Sequence, residues 1–160
     1  MRRVNLSSAP LEDASDRPDG FGFAFARLAP LVDGWLSHDR PIHIRCDDSV
    51  VRAVAGRTQV LRRSRGYAPE PMALGHVACR QVLAVGAELK STVSVVKGQQ
   101  LVTSHHIGDL EHPTAYASFL QAVEHLCGLF GVRPDVVVHD LHPEYLSTKW
   151  ALDTDLPTLG

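Results

Sequence analysis

The sequence predicts a mixed α/β fold, and three stretches carry that expectation. Val82 to Thr103 alternates short apolar runs with turn residues, as a β-hairpin does. Pro113 to Cys127 repeats apolar residues at three- and four-residue spacing, the period of a helix with one buried face. Val136-Val137-Val138 is apolar on both faces, as in a strand at the middle of a sheet. A chain of 160 residues is long enough to bury a core, and its 44% hydrophobic and 21% charged content fits a globular protein rather than a disordered one.

Taken in order, Asn5-Leu6-Ser7-Ser8 reads as a polar turn and Glu12 to Gly20 as an Asp-, Pro- and Gly-rich loop without periodicity. Phe25, Leu28, Leu31, Val32, Trp35 and Leu36 predict a helix from about Phe23 to Leu36, with Pro30 kinking it or marking its start. Ile42 to Ile44 reads as a short strand. Ser49 to Val54 reads as another, which Ala55-Gly56-Arg57 turns back into Thr58 to Leu61. Pro69-Glu70-Pro71 stiffens the exit from this small sheet, and Met72 to Gln81 reads as a crossing between two domains. The strands Val82–Val85, Val93–Val96 and Leu101–Thr103 follow, the last two joined by Lys97-Gly98-Gln99-Gln100. In the helix that begins at Pro113, Tyr116, Phe119, Leu120, Val123, Leu126 and Cys127 form the apolar stripe, and Gly128 with Gly131 can end it. Ser147 is placed to cap a short helix through Trp150.

Composition excludes several classes. A net charge of −2 argues against a nucleic-acid partner held through phosphates, while Arg57, Arg62, Arg63 and Arg65 make a local cluster able to bind a small anion. Three cysteines without a C-x-x-C pair exclude an all-cysteine zinc site and speak against a disulfide framework. The apolar runs are too short to span a bilayer and the amino terminus lacks a signal-peptide layout, so the expected protein is soluble and cytoplasmic, with no membrane partner.

Three constellations could carry chemistry. Gly86 to Thr92 offers a glycine, Lys90 and the hydroxyls of Ser91 and Thr92 at a hairpin bend, the inventory of a phosphate site and equally of an exposed turn. His105-His106-x-x-Asp109 and His139-Asp140-x-His142 each follow a strand. Imidazole and carboxylate at that spacing suit a divalent metal, or else cap turns. Arg45, Asp47, Asp48 and Ser49 with the arginines from Arg62 to Arg65 could orient a nucleotide or form a surface ion-pair network. No Walker A loop, G-x-S-x-G elbow or G-x-G-x-x-G is present.

Five stretches together resemble one family. PIHIRCDDSVVR, RRSRGYAP, VGAELKST, HIGDLE and HDLHPEYLST occur here in the order found in the hydrogenase maturation carbamoyltransferases called HypF. The resemblance implies the carboxyl-terminal part of a YrdC-like domain over residues 1–71 and a linker over 72–81. Residues 82–160 are then the opening hairpin, helix and strand of an actin-like ATPase (ribonuclease H-like) domain. In that family the YrdC-like domain makes carbamoyl-adenylate from carbamoyl phosphate and ATP with Mg, and the second domain passes the carbamoyl group to a carboxyl-terminal cysteine of the partner HypE. Zinc and a further divalent metal are bound in the family through motifs not found in this sequence.

By the same resemblance Asn5 and Ser7 fall in the adenylate-binding motif, whose first residues are replaced by Met1-Arg2-Arg3-Val4. Asp48 and Ser49 match the strand that closes over the nucleotide, with Arg63 and Arg65 nearby. Lys90, Ser91 and Thr92 match the first phosphate hairpin, joined by Asp109 as a further nucleotide-site residue, and His139, Asp140 and His142 match the loop facing it, as catalytic candidates. Family members are several times longer, so the chain is expected to be an internal fragment, not competent alone. Two rival readings are a small metal-dependent phosphohydrolase built on His106, Asp109, His139 and His142, and a non-catalytic module that keeps the partner surface.

Overall fold

The computed structural model describes residues 29–31, 33–34 and 43–160. The chain forms two compact units, Met1–Arg45 and Cys46–Gly160. Within the first, most of the helix expected from Phe23 to Leu36 lies outside the described residues, as do Asn5 and Ser7. Its described part is a single 3-10 turn at Ala29–Leu31, centred on Pro30, whose missing N–H cannot continue a helical ladder. Ile42 also lies outside the described residues. His43 and Ile44 form a bend and not the expected strand.

The second unit contains two sheets. Strands β1 (Val50–Val54) and β2 (Arg57–Arg62) pair antiparallel as a two-stranded ribbon, as the alternation and the Ala-Gly turn predict. The larger sheet has six strands in the order β3-β6-β5-β4-β7-β8: β3 (Met72–Ala73), β4 (Val82–Val85), β5 (Val93–Lys97), β6 (Gln100–Thr103), β7 (Val136–Val138) and β8 (Thr158–Leu159). Strands β4, β5 and β6 run antiparallel, then helix α1 (Pro113–Phe130) carries the chain across to β7, which lies parallel to β4. Helix α2 (Leu146–Leu152) leads on to β8, parallel to β7. This mixed α/β sheet contains the hairpin, helix and strand opening expected of an actin-like ATPase type domain.

The two-residue strands β3 and β8 have no sequence signal. Met72–Ala73 lies in the stretch read as a crossing, yet it pairs with Leu101 and Gln100 at the sheet edge. Two residues are too few for a period of two to show.

The core lies between sheet and helices. Leu83, Val85, Val93, Val95, Val102 and Val137 from the strands pack with Phe119, Leu126 and Leu110, all nearly inaccessible to solvent. Alternation explains the strands: Leu83 and Val85 are buried while Val82 and Ala84 are half-buried. On α1 the fully buried line is Ala115, Phe119, Ala122 and Leu126, and the predicted Tyr116, Leu120, Val123 and Cys127 flank it. Two of these buried positions are alanines, which a reading weighted by side-chain bulk misses. Phe119 meets Trp150 of α2 edge to face at 5.3 Å, tying the two helices to one core.

The register of β4 against β7 is fixed at its start by Gln81. Its backbone N–H donates to Asp135 Oδ2 at 2.8 Å, its carbonyl accepts the Asp135 N–H at 2.8 Å, and its Oε1 accepts the Arg133 N–H at 3.0 Å. Val82, Leu83 and Ala84 then stand opposite Val136, Val137 and Val138.

Helix α1 runs one turn past the Cys127 end expected from the sequence. Gly128 lies inside it and Gly131, at φ 56°, is the left-handed residue that ends it. Lys97 Nζ donates to the exposed carbonyls of Phe130 at 3.3 Å and Gly131 at 2.7 Å, a cation at the negative end of the helix. At α2, Ser147 is not the cap: Tyr145 holds that position, and Ser147 is buried in the first turn with no hydrogen-bond partner for its Oγ. No helix of the described residues is long and apolar enough to cross a membrane.

The two glycines are expected to respond oppositely to alanine. Gly128→Ala raises stability by about 0.5–1 kcal/mol, because a helix interior disfavours glycine by that amount, and the added methyl meets nothing within 4 Å. Gly131→Ala lowers stability by about 1 kcal/mol, since a side chain is strained at positive φ. Urea midpoints of the two variants at unchanged slope provide the check, and shifts of the same sign contradict this helix end.

Candidate functional site

Because β4 and β7 are parallel neighbours, their carboxyl ends leave the sheet at the same edge, where α/β sheets place ligands. The chain leaves β4 through Gly86, whose N–H donates to the Thr92 carbonyl at 2.9 Å. A Cβ on Gly86 would stand 3.1 Å from Thr92 O and 3.2 Å from Thr92 N, a tight approach to backbone that favours glycine in this loop. Ser91 bridges to the Gly108 segment: its N–H donates to Gly108 O at 3.2 Å, and its carbonyl accepts the Ile107 N–H at 2.9 Å.

That extended bridge sorts the side chains by alternation. Lys90 is exposed, Ser91 is wholly buried, and Thr92 is half-buried. Lys90 and Thr92 line a cleft of about 690 Å³, together with Val50, Val60, Leu61, Arg62 and Arg63 from the two-stranded ribbon and its exit, and His106. Ser91 is not among the lining residues, and its Oγ is buried without a hydrogen-bond partner. The ribbon is tied to the hairpin by the His106 N–H, which donates to the Arg63 carbonyl at 2.8 Å.

The cleft is electropositive by composition. Arg62, Arg63 and Lys90 line it and, among the described residues, no carboxylate does, although the whole chain carries a net charge of −2. Arg63 is held by a hydrogen bond from Nη2 to the Glu70 carbonyl at 3.0 Å, and its buried Nε has no partner. Val50, Val60 and Leu61 add an aliphatic flank to the cleft beside these cations.

Asp48, Ser49 and Arg65 stand outside this lining and act on one another. Ser49 Oγ donates to the Arg65 carbonyl at 3.0 Å and accepts the Ser64 N–H at 2.8 Å. Asp48 pairs with Arg65 at 3.3 Å, both side chains mostly exposed, and Arg65 Nη2 donates to the Cys46 carbonyl at 2.9 Å. These bonds brace the segment that carries Arg62 and Arg63.

The loop after β7 is a set of local turns. His139 donates from Nδ1 to the Asp140 carbonyl at 2.7 Å, which leaves its Nε2 as the acceptor of the neutral ring. Asp140 Oδ1 accepts the His142 N–H at 2.8 Å, and Thr148 Oγ1 donates to the Asp140 carbonyl at 3.0 Å. His142 Nδ1 accepts the Glu144 N–H at 3.3 Å, and its ring stacks on Tyr145 with centroids 4.3 Å apart. The Lys149 hydrogen bond and charge hold the exposed Glu144 carboxyl below its ordinary range. Asp109 Oδ1 accepts the Glu111 N–H at 3.0 Å in a turn ahead of α1.

The two histidine clusters do not assemble a metal centre. Among the described residues no three His, Cys, Asp or Glu side chains are grouped to hold a metal ion. His105 is buried and His106 lines the cleft, so the adjacent pair is parted just beyond the end of β6. Burial pushes the Cys127 thiol pKa up, which leaves it a protonated core side chain rather than a nucleophile.

Glu88 was passed over as a site residue. It is only 5% exposed, and its Oε2 accepts the Leu146 N–H of α2 at 2.7 Å. One signal was present: a lone acid in a bend whose other residues are Gly86, Ala87, Leu89, Lys90, Ser91 and Thr92. Arg62 was named only within the arginine cluster, because nothing local says which arginine faces the hairpin.

A family profile described as the HypF Kae1-like domain matches residues 78–159. The carbamoyltransferase HypF of Synechocystis sp. is 44% identical over 134 residues, covering 84% of this chain and 18% of that protein. Carbamoyltransferase HypF2 of Cupriavidus necator is 38% identical over 96% of this chain and 18% of its own length. The chain thus spans less than a fifth of the curated relatives it matches. Among solved structures, full-length HypF in its phosphate- and nucleotide-bound form superposes with a TM-score of 0.79 at 41% identity, over 86% of this chain and 22% of that one. HypF of T. kodakarensis superposes with a TM-score of 0.74 at 34% identity, over 86% of this chain and 18% of that one. Profile, sequence and superposition agree that the chain belongs to the HypF carbamoyltransferase family.

Proposed function

We propose that this chain supplies a phosphate-handling surface of a carbamoyltransferase of NiFe-hydrogenase maturation, and the observation that carries the reading is the cleft lined by Arg62, Arg63, Lys90 and Thr92. The activity proposed for the whole protein is ATP-dependent transfer of carbamoyl from carbamoyl phosphate, through carbamoyl-adenylate, to the carboxyl-terminal cysteine of HypE, in the cytoplasm. Triphosphates, carbamoyl phosphate and an acyl-adenylate share an anionic phosphoryl group. Two arginines, a lysine and a hydroxyl are the donors such a group needs. The solved HypF with phosphate and nucleotide bound supports the same ligand class.

Positioning and charge stabilisation carry most of the work in phosphoryl and adenylyl chemistry. Lys90 reaches the cleft as a mobile point charge. Arg63, held through Glu70, presents a fixed guanidinium. Mg bound to the phosphates would neutralise part of their charge. The donor set fits the phosphates themselves and offers no grouped carboxylates for the metal among the described residues, so Mg would enter with the nucleotide. In this reading His139, Asp140 and His142 face the acceptor side, at the neighbouring strand end.

Titration calorimetry of the purified 160-residue chain with Mg·ATP is expected to show saturable binding. Lys90→Ala weakens it about tenfold, the loss of one charge-assisted hydrogen bond, whereas Asp48→Asn leaves it within about twofold. Equal affinity in the Lys90→Ala protein, or no saturable binding by the parent, contradicts the assignment of this cleft. Turnover is a separate expectation. The same 160-residue chain supplied with ATP, Mg and carbamoyl phosphate is expected to cleave no ATP, and carbamoyl-phosphate-dependent release of pyrophosphate would overturn that.

A further inference from the structure

Glu88 lies in the bend between β4 and β5, two residues before Lys90, yet its side chain turns inward and is 5% exposed. Among the described residues no cation lies within ion-pair distance of it. A buried carboxylate without a partner cation is costly, and the compensation here is a charge-assisted bond from the Leu146 N–H at 2.7 Å. Leu146 opens α2, where the first N–H groups have no partner within the helix and favour negative charge. No side chain from α2's own sequence caps that end.

The consequence is positional. Leu146 directly follows Tyr145, on which His142 stacks, so the bond fixes the end of the His139–Tyr145 loop. The Glu88 carbonyl accepts the Leu110 N–H at 3.2 Å, which holds the bend to the segment carrying Asp109. One residue thereby joins three candidate segments that are far apart in sequence, across 58 residues in the case of Leu146.

We propose that Glu88 is a positioning residue that sets the distance and orientation of the His139–Tyr145 loop relative to the Lys90–Thr92 edge of the cleft. The inference rests on the reading of those two segments as one site. Its physical content, an anionic acceptor at the start of α2, is measured without any nucleotide. A glutamine keeps an acceptor oxygen at the same reach but loses the charge. An alanine loses both.

The test is amide exchange and ring-proton chemical shifts by NMR on the 160-residue chain, for the parent, Glu88→Gln and Glu88→Ala. The Ala variant is expected to speed exchange at Leu146 by about tenfold or more relative to Val95 of β5, and to move the ring protons of His142 and Tyr145. The Gln variant is expected to keep slow exchange at Leu146 with an upfield shift of that amide proton as its bond becomes neutral. The proposal is overturned if Glu88→Ala speeds Leu146 and Val95 by the same factor, if the His142 and Tyr145 rings do not move, or if Gln behaves as Ala does. Should Glu88→Ala not fold, the Leu146 shift in Glu88→Gln decides alone, and an unchanged shift sinks it. A parent chain that fails to bind Mg·ATP would count against the cleft and leave these readouts standing.

Discussion

Parallel pairing of β4 with β7 is the constraint from which the candidate site follows. The two strands are more than fifty residues apart in the chain, and the pairing closes only because α1 returns the chain along the sheet. Its core contact is Leu83 beside Val137, both essentially inaccessible, and a slip of one residue would turn those side chains out of the core. Gln81 makes such a slip harder still. It satisfies backbone or side-chain partners at both Arg133 and Asp135, so any other register leaves those groups unpaired at the strand entrance. With the entrances pinned, the exits are pinned too, and the Gly86 bend and the His139 turn emerge side by side.

From there a period of two assigns roles. Lys90 and Thr92 reach the cleft while Ser91 faces the core; past the end of β6, His106 likewise reaches it while His105 is buried. A motif read as a string treats Lys-Ser-Thr or His-His as a unit. In an extended bridge its members belong to opposite faces, and only alternate ones can meet a ligand. The buried Ser91 still matters to the site, because its backbone fastens the hairpin to Gly108 and so sets where its two neighbours point.

Much of the larger sheet was legible because its signals are local. The apolar runs at Val82, Val93 and Val136, the Gly98-Gln99 turn and the stripe on α1 are written within windows of a few residues, and the structure places strands, turn and helix there. Relations across the chain were not legible. No window contains both Arg63 and Lys90, or Glu88 and Leu146, and each pair is brought together by tertiary packing alone. Ser147 shows the limit from the other side: a hydroxyl with good capping chemistry was overruled by a carboxylate arriving from another segment. The arginine cluster shows it again, since Arg62 and Arg63 line the cleft while Arg65 is spent on Asp48 and the Cys46 carbonyl.

A protein with more acids than bases holds a positive cleft more readily when nearby carboxylates are engaged elsewhere, and five of them are. Asp48 pairs with Arg65, Asp109 and Asp140 accept amides within their own turns, and Glu144 is drawn to Lys149. Glu88, two residues from Lys90 in sequence, is turned inward to the Leu146 amide. Each of these bonds has a local structural effect, as a brace, a turn or a helix cap. Their shared effect is electrostatic, because none of these acids is among the residues that line the cleft with Arg62, Arg63 and Lys90. The same hydrogen bonds that shape the loops therefore also keep these five acids out of the lining that an incoming phosphate would meet.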